Sequence, residues 1–424
     1  MPARRVLLVA TTTGYQTESF RRAADCVGIE LTLANDSCHQ LQDPWGDQAV
    51  PIRFNEVKGA LDLLRPQGPF AGIVASGDRA AVMAAKLAAG LKLPFHPVEA
   101  VELCHDKLRF RAAMAGADLP TPWVQKFKLD ADAAAAAAAV RYPCVLKPAI
   151  LSGSRGVIRA DDPSTFVAAF RRIGQLLATP AIRQWKEPAG DLILAEGYIP
   201  GTEYALEGWM ASGELRRFAL FDKPDALAGP FFEETIYVTP SRLATEQRAM
   251  IWDMVEAAAR TAGLGPGPIH AEIRLDGDTA YVLEIAPRSI GGLCGRTLRF
   301  GRAPGTGADG RLISLEELLL RGAVGEPVAP WQREDRAAGV MMIPIPQSGV
   351  LEDVTGVEQA RAVPGVEAIE ITAKKGQPLQ ALPEGACYLG FIFARSVTPQ
   401  TVEQALRNAH AALHVHMRES LPVA

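Results

Sequence analysis

The 424-residue sequence predicts an α/β unit followed by two α+β units, on three observations. Length is the first: at roughly 100 to 200 residues per domain, the chain divides into two or three domains. The second is an alternation in the first hundred residues. Apolar runs at 5–10, 29–33 and 70–76 read as strands, and helical patterns fall at 56–64 and 79–91. Such alternation implies a parallel sheet with helices on its faces, a Rossmann-like βα domain. It lacks GxGxxG, which disfavours dinucleotide binding there. The third observation is a change of pattern after Leu119 to short strands separated by glycine and proline turns.

Element by element, 119–196 reads as strand (123–127), alanine-rich surface helix (133–139), strand (144–148), glycine loop, strand (157–160), helix (163–177) and strand (192–196). A larger sheet follows at 203–210, 215–221, 269–275 and 280–286, with a long helix at 244–262. The glycine-rich stretch 301–310 is expected to be a mobile loop. After Trp331 a third unit begins, with strands near 339–344, 366–372 and 388–394 and helices near 357–362 and 402–414. The expected boundaries are 1–103, 104–332 with a smaller lid at 120–194, and 333–424.

Composition excludes several classes. At 48% hydrophobic and 22% charged residues the chain can bury a sizeable core. Forty-four basic against 48 acidic residues supply no general field for nucleic acid or acidic lipid, so neither is an expected partner. Six cysteines without a CxxC pair suit reduced thiols in a cytoplasm better than a disulfide framework or structural zinc. The apolar stretch 6–11 is too short for a signal sequence, and no run approaches the ~18 apolar residues of a membrane helix. A cytoplasmic location is expected, and a homodimer is the default assembly.

The sharpest chemical feature is HAEIRLDGDTAYVLEIAPR, a hairpin around Gly277. If Asp276 pairs with Ala280 across a three-residue loop, Arg274 faces Val282, Glu272 faces Glu284 and His270 faces Ala286. Ile273, Leu283 and Ile285 then enter the core. Directly opposed side chains lie ~4.5–5.5 Å apart at Cβ. Two unit charges ~4 Å apart repel by about 4 kcal/mol at an effective dielectric of ~20. A hard divalent cation would offset that, and so would Arg274 or Arg288 in an ordinary surface network. Mg²⁺ in particular favours one or two carboxylates plus phosphate oxygens and water.

In YPCVLKPAILSGSRGV, Lys147 lies on a strand before Ser152, Gly153, Ser154, Arg155 and Gly156. Backbone N–H groups of such a loop can close on phosphate oxygens beside a fixed positive charge. A flexible hairpin tip would look the same. In LILAEGYIPGTEYALEGW a strand ends at Glu196, a tight Pro200–Gly201 turn follows, and Glu203 begins the next strand. A hinge of this kind exposes backbone groups able to pair with an adenine edge. Lys223 is read as reaching phosphate or as a solvated loop lysine. Phe231, Phe232 and Tyr237 are read as pocket lining or as a core strand.

Taken in order, Asp106-Lys107, Lys147 with 152–156, 196–203, Glu272, and 284–288 resemble the ATP-grasp superfamily of carboxylate-amine ligases. The segment 339–366, GVMMIPIPQSGVLEDVTGVEQARAVPGV, resembles the terminal domain of the L-amino-acid ligase branch. The resemblance implies an ATP-grasp fold using ATP and Mg²⁺, with Mn²⁺ as the alternative ion. Lys107 and Lys147 would touch the phosphates, with Ser152, Gly153, Ser154 and Gly156 closing over them. The Glu196, Gly197, Tyr198 and Ile199 hinge would hold adenine, and Glu203 the ribose. Glu272 and Glu284 would hold the metal. Arg288 would stabilise the phosphoryl group in flight, and Ser289, Gly291, Gly292 and Arg296 would face the carboxylate substrate.

One departure matters. The family usually has Glu-x-Asn where this chain has Glu284-Ile285-Ala286, and alanine coordinates nothing. His270, opposite Ala286 in the expected register, is read as a replacement ligand, a substrate contact or a packing residue. The implied reaction phosphorylates a small carboxylic acid, such as an amino acid, and lets an amine displace the phosphate. Candidates for the general base are Glu207, Glu233, Glu234 and His270. An ATP-dependent carboxylase, biotin carboxylase-like or purine-pathway-like, is the rival enzyme; a non-catalytic nucleotide-binding protein is the rival class.

Overall fold

The apolar run at Arg4–Ala10 is buried from Val6 onward and forms a central strand of a four-stranded parallel sheet. The sheet order is Ala49–Pro51, Ile29–Asn35, Arg4–Ala10, Gly72–Ser76, with Asp78–Leu91 among its covering helices. A strand buried on both faces needs no polar alternation, which is why these runs read as continuous hydrophobic stretches. This computed structural model describes residues 4–11, 16–36, 45, 48–302 and 310–419. Most of the glycine-rich stretch expected as a loop at 301–310 lies outside the described residues.

The unit expected as a lid is a second, antiparallel sheet in the order Val124–Lys128, Leu192–Gly197, Cys144–Pro148, Ile158–Ala160. Helix Pro163–Leu177 buries Phe166, Phe170 and Ile173 against it. Asp162 starts that helix with a capping box to Thr165, a device that satisfies otherwise orphaned N–H groups.

The third unit is joined to the central sheet. Strands Ala337–Ile343, Gly390–Ser396 and Val366–Ile371 do not build a sheet of their own. They extend the central one, which runs Thr279–Ala286, Gly267–Asp276, Thr202–Ala211, Glu214–Asp222, Ile236–Thr239 and then those three. A hydrogen-bonded surface therefore crosses the expected boundary at residue 332. The physical reason is the edge of Ile236–Thr239, whose unpaired backbone groups are satisfied by antiparallel pairing with Ala338–Met341. Helix Leu315–Ala323, absent from the sequence-based reading, is leucine-rich and shares one core with Phe20, Trp209 and Phe300. It joins the N-terminal unit to the central sheet.

Candidate active site

The hairpin brings Glu272 opposite Glu284 and His270 opposite Ala286, but by a different route from the expected one. Asp276 pairs with Thr279 across a two-residue loop, so Arg274 faces Tyr281 and Leu275 faces Ala280. That slip of one residue would turn Glu284 to the wrong face. A bulge that leaves Leu283 unpaired between Val282 and Glu284 restores the phase. Leu283 consequently lines the cleft, while Ile273 and Ile285 enter the core.

The charge that meets these carboxylates is Lys223, which follows the strand Glu214–Asp222. Its Nζ donates to Glu203 at 2.7 Å, Glu234 at 2.7 Å and Glu272 at 3.1 Å, and it lies 4.9 Å from the centre of the Tyr237 ring. At 3% side-chain exposure it is neither a solvated lysine nor free to reach phosphate. Burial alone would lower its pKa, and the three carboxylates raise it well above the ordinary range. Burial and the neighbouring Glu272 push the Glu234 carboxyl up. Arg274 neutralises Glu203 rather than the hairpin pair: its Nε donates to Glu203 at 3.1 Å, and its guanidinium also bonds the carbonyls of Ile199 at 2.7 Å and of Leu227. The turn that positions Glu203 passes so close to the hairpin that a Cβ on Gly201, at φ +88°, would lie 2.1 Å from the Leu275 carbonyl oxygen.

Across the cleft, Lys147 bonds Glu196 at 2.6 Å, and Arg111 bonds the same carboxylate at 3.2 Å. Burial favours the neutral acid, but the two cations hold the Glu196 carboxyl down to about 2. The Glu196 side chain thus serves as the counter-ion of Lys147. The hinge backbone is tied to the lid through Gly197 N–H to the Trp123 carbonyl at 3.0 Å and Tyr198 N–H to the Pro143 carbonyl at 3.2 Å. Lys107 opens a helix capped by Asp106 and donates to the Leu151 carbonyl at 2.8 Å, at the base of the glycine loop. Ser152, Gly153 and Ser154 line the cleft. Gly156 does not: its N–H donates to the Pro383 carbonyl at 2.8 Å, and at φ +72° a Cβ would meet the Pro148 ring at 2.8 Å.

His270 sits between two carboxylates. Its Nδ1 lies 2.6 Å from Glu207 and its Nε2 3.8 Å from Glu272. Burial opposes its charge, yet these hydrogen bonds push its pKa up to about 9. The raised value favours the charged imidazole, and its Nδ1 is committed to Glu207. The other oxygen of Glu207 accepts from Ile290 N–H at 3.1 Å.

Arg288 reaches the N-terminal unit, bonding Asp78 at 2.7 Å and the Ser289 carbonyl at 2.8 Å. Sequence reading passed over Asp78, and also Gln16, which donates to the Ile290 carbonyl and accepts from Ser76. Arg296 turns the other way, pairing with Glu370 and lying 4.5 Å over the Phe393 ring. Gly292 packs on Phe391. Arg288, Ser289, Gly291, Gly292, Arg296 and His270 are absent from the cleft lining, which does include Lys107, Lys147, Glu196, Gly197, Tyr198, Ile199, Glu203, Phe232, Glu272 and Glu284.

The cleft opens between the two sheets and holds about 830 Å³ of atom-free space, its open mouth included. A second chamber, sharing Leu151, Ser152 and Gly153 with it, is lined by Asp78, Arg155, Glu233, Cys387 and Tyr388. Among the described residues a hard divalent cation could find two donor sets: the opposed Glu272 and Glu284 carboxylates, and the Glu203, Glu234 and Glu272 oxygens within 4.8 Å of one another, which Lys223 already holds. Ala286 supplies nothing for a second ion.

Residues 140–297 match the ATP-grasp domain, and residues 341–418 match L-amino acid ligase C-terminal domain 2. A D-alanine–D-alanine ligase of Aromatoleum aromaticum is 30% identical over 224 residues, 52% of this chain and 67% of that protein. The chain belongs to the ATP-grasp family. An alanine–anticapsin ligase of Bacillus amyloliquefaciens is 29% identical over 210 residues, 46% of this ATP-grasp chain and 43% of that ligase. The chain spans less than two thirds of the length of this and another curated relative, at 43% and 66%. An L-amino acid ligase from Bacillus licheniformis superimposes with a TM-score of 0.81 at 25% identity, covering 99% of this chain and 100% of that one. No helix among the described residues is long and apolar enough to cross a membrane.

Proposed function

We propose that this ATP-grasp chain is a carboxylate-amine ligase that phosphorylates an amino acid or related small carboxylic acid at the expense of ATP and joins it to an amine. The supporting observation is the opposition, across one cleft, of the Glu272/Glu284 pair and a lid bearing Lys147 and the 152–154 loop. A carboxylate oxygen is a very poor leaving group, so the acid is first converted to an acyl phosphate, and the amine then displaces phosphate. Phosphoryl transfer needs positioning and neutralisation of spread negative charge more than covalent help. Lys107 and Lys147 bind the phosphates, the hinge orients the base, and the loop excludes water from the labile intermediate. Bound to Glu272 and Glu284, Mg²⁺ or Mn²⁺ supplies charge neutralisation.

Arg288, whose partner Asp78 lines the second chamber, orients the carboxylate. Of the four candidate bases, His270 and Glu207 are engaged with each other, Glu207 also accepts from Ile290 N–H, and Glu234 is held by Lys223. Glu233 lines the second chamber, and burial raises its pKa, which suits a group that takes a proton from an incoming ammonium. A phosphate-release screen over pairs of amino acids, with mass detection of products, tests the reading. The expected result is ADP and phosphate only when acid and amine are both present. Release with bicarbonate alone would assign a carboxylase, and none with any pair a non-catalytic protein.

A further inference from the structure

The family pattern places an asparagine at the position of Ala286, and what this chain offers instead bears on the number of ions the site accepts. Ala286 has no donor. The residue directly across the ladder, His270, is committed to Glu207 at 2.6 Å and turns its other nitrogen toward Glu272. Two residues further along, Arg288 brings positive charge and bonds Asp78. Ala286 and Arg288 thus offer no donor to a second cation on the Glu284 side, and the His270 Nδ1 is taken by Glu207.

On the Glu272 side the carboxylates are plentiful but already occupied. Oxygens of Glu203, Glu234 and Glu272 lie within 4.8 Å of one another, a spacing that a metal ion would also accept. The Lys223 ammonium stands among them at 2.7, 2.7 and 3.1 Å, so each of its three protons has a carboxylate acceptor. His270 Nδ1 lies 2.6 Å from Glu207, and Arg288 is matched by Asp78. Of the remaining charges, Lys223 and Arg274 offset two of the four carboxylates Glu203, Glu234, Glu272 and Glu284, and one divalent ion offsets the other two.

We infer that this active site takes a single divalent ion per nucleotide, on Glu272 and Glu284, and that Lys223 supplies in fixed form the positive charge a second ion would bring. Lys223 is then a positioning residue. Its ammonium holds the carboxylates together before any ion arrives. The inference rests on the ligase reading above.

Mn²⁺ is the probe. Full-length protein saturated with β,γ-imido-ATP is titrated with Mn²⁺, and bound ions per chain are counted by electron paramagnetic resonance. One tight ion with the hyperfine pattern of an isolated centre is expected; two ions with mutual dipolar broadening would overturn the inference. Lys223→Met opens the carboxylate cage, and the count should rise from one to two. A count that stays at one would remove Lys223 from the role. Ala286→Asn, which leaves Lys223 in place and guards against a misfolded Lys223 variant, should still bind one ion; a second ion there would also refute the substitution. Failure of the imido analogue to bind would defeat the ligase reading together with this inference, whereas a bound analogue with two ions defeats this inference alone.

Discussion

The two faces of the cleft are charged in opposite senses. On the lid face Lys107, Lys147 and Arg111 meet one buried carboxylate, Glu196, and a few backbone carbonyls. On the sheet face Glu203, Glu234, Glu272 and Glu284 meet Lys223 and Arg274. At an effective dielectric of ~20, an uncompensated pair ~4 Å apart costs about 4 kcal/mol. Neither face is balanced alone. They become balanced around a ligand that is anionic toward the lid and carries a divalent cation toward the sheet, which is the shape of a metal-bound nucleotide.

The contrast breaks most sharply at Glu284. Replacing it by glutamine (Glu284→Gln) removes half of the opposed pair, and phosphate release should fall by about 10³-fold, as when a charge-stabilising group is lost from a transition state. Thermal unfolding should hold or rise, because the substitution removes the repulsion between Glu284 and the opposed Glu272 carboxylate. Turnover within tenfold of the parent would mean that the sheet face does not carry the reaction.

Lys147→Ala acts on the other face. It deletes a charge-assisted contact of about 1.5–3 kcal/mol, so calorimetric affinity for β,γ-imido-ATP should drop by roughly 10- to 100-fold. It also leaves Glu196 buried with Arg111 alone, which lowers stability. Adding Glu196→Gln should recover stability without recovering affinity; recovery of both would show that Lys147 serves the fold and not the ligand.

The faces also titrate in opposite directions. Glu196, held down to about 2, contributes stability present above its unfolded value near 4.5 and lost as pH falls toward 2. His270, raised to about 9, contributes stability fully present below 6.5 and lost as pH rises through 9. Denaturant unfolding of the parent and of His270→Gln should therefore show a gap of a few kcal/mol at pH 6 that closes by pH 10. A constant gap would mean that the imidazole is neutral throughout.

How much of this was legible in the sequence follows the range of the interactions. The lid elements and the Glu272/Glu284 opposition follow from local period and parity, since strand side chains alternate strictly. The hairpin register does not, because a shorter turn and a bulge cancel, and parity alone cannot detect two compensating shifts. Asp78 and Arg288 stand 210 residues apart in sequence, and Lys223 lies 49 residues from Glu272. Nothing local marks them as partners. Merger of the third unit with the central sheet was hidden for the same reason: a strand's pattern says which face is buried, not which edge it joins.

Arg296 gives the smallest effect and the cleanest boundary to the cleft. Family resemblance puts it against the carboxylate substrate, whereas in the structure it pairs with Glu370 at partly exposed positions and covers Phe393. An exposed ion pair contributes about 0–1 kcal/mol and a cation–π contact at such a site about 0.5–1 kcal/mol. Arg296→Ala should therefore lower stability by no more than about 2 kcal/mol by those figures and leave kcat/KM for the acid within about twofold. Truncating an arginine bound to a substrate carboxylate costs 2–5 kcal/mol or more, roughly 30-fold at the least. Steady-state kinetics with varied acid separates the two without ambiguity. A loss of that size would move the substrate-facing wall from Arg288 and Asp78 to the strand that carries Phe393.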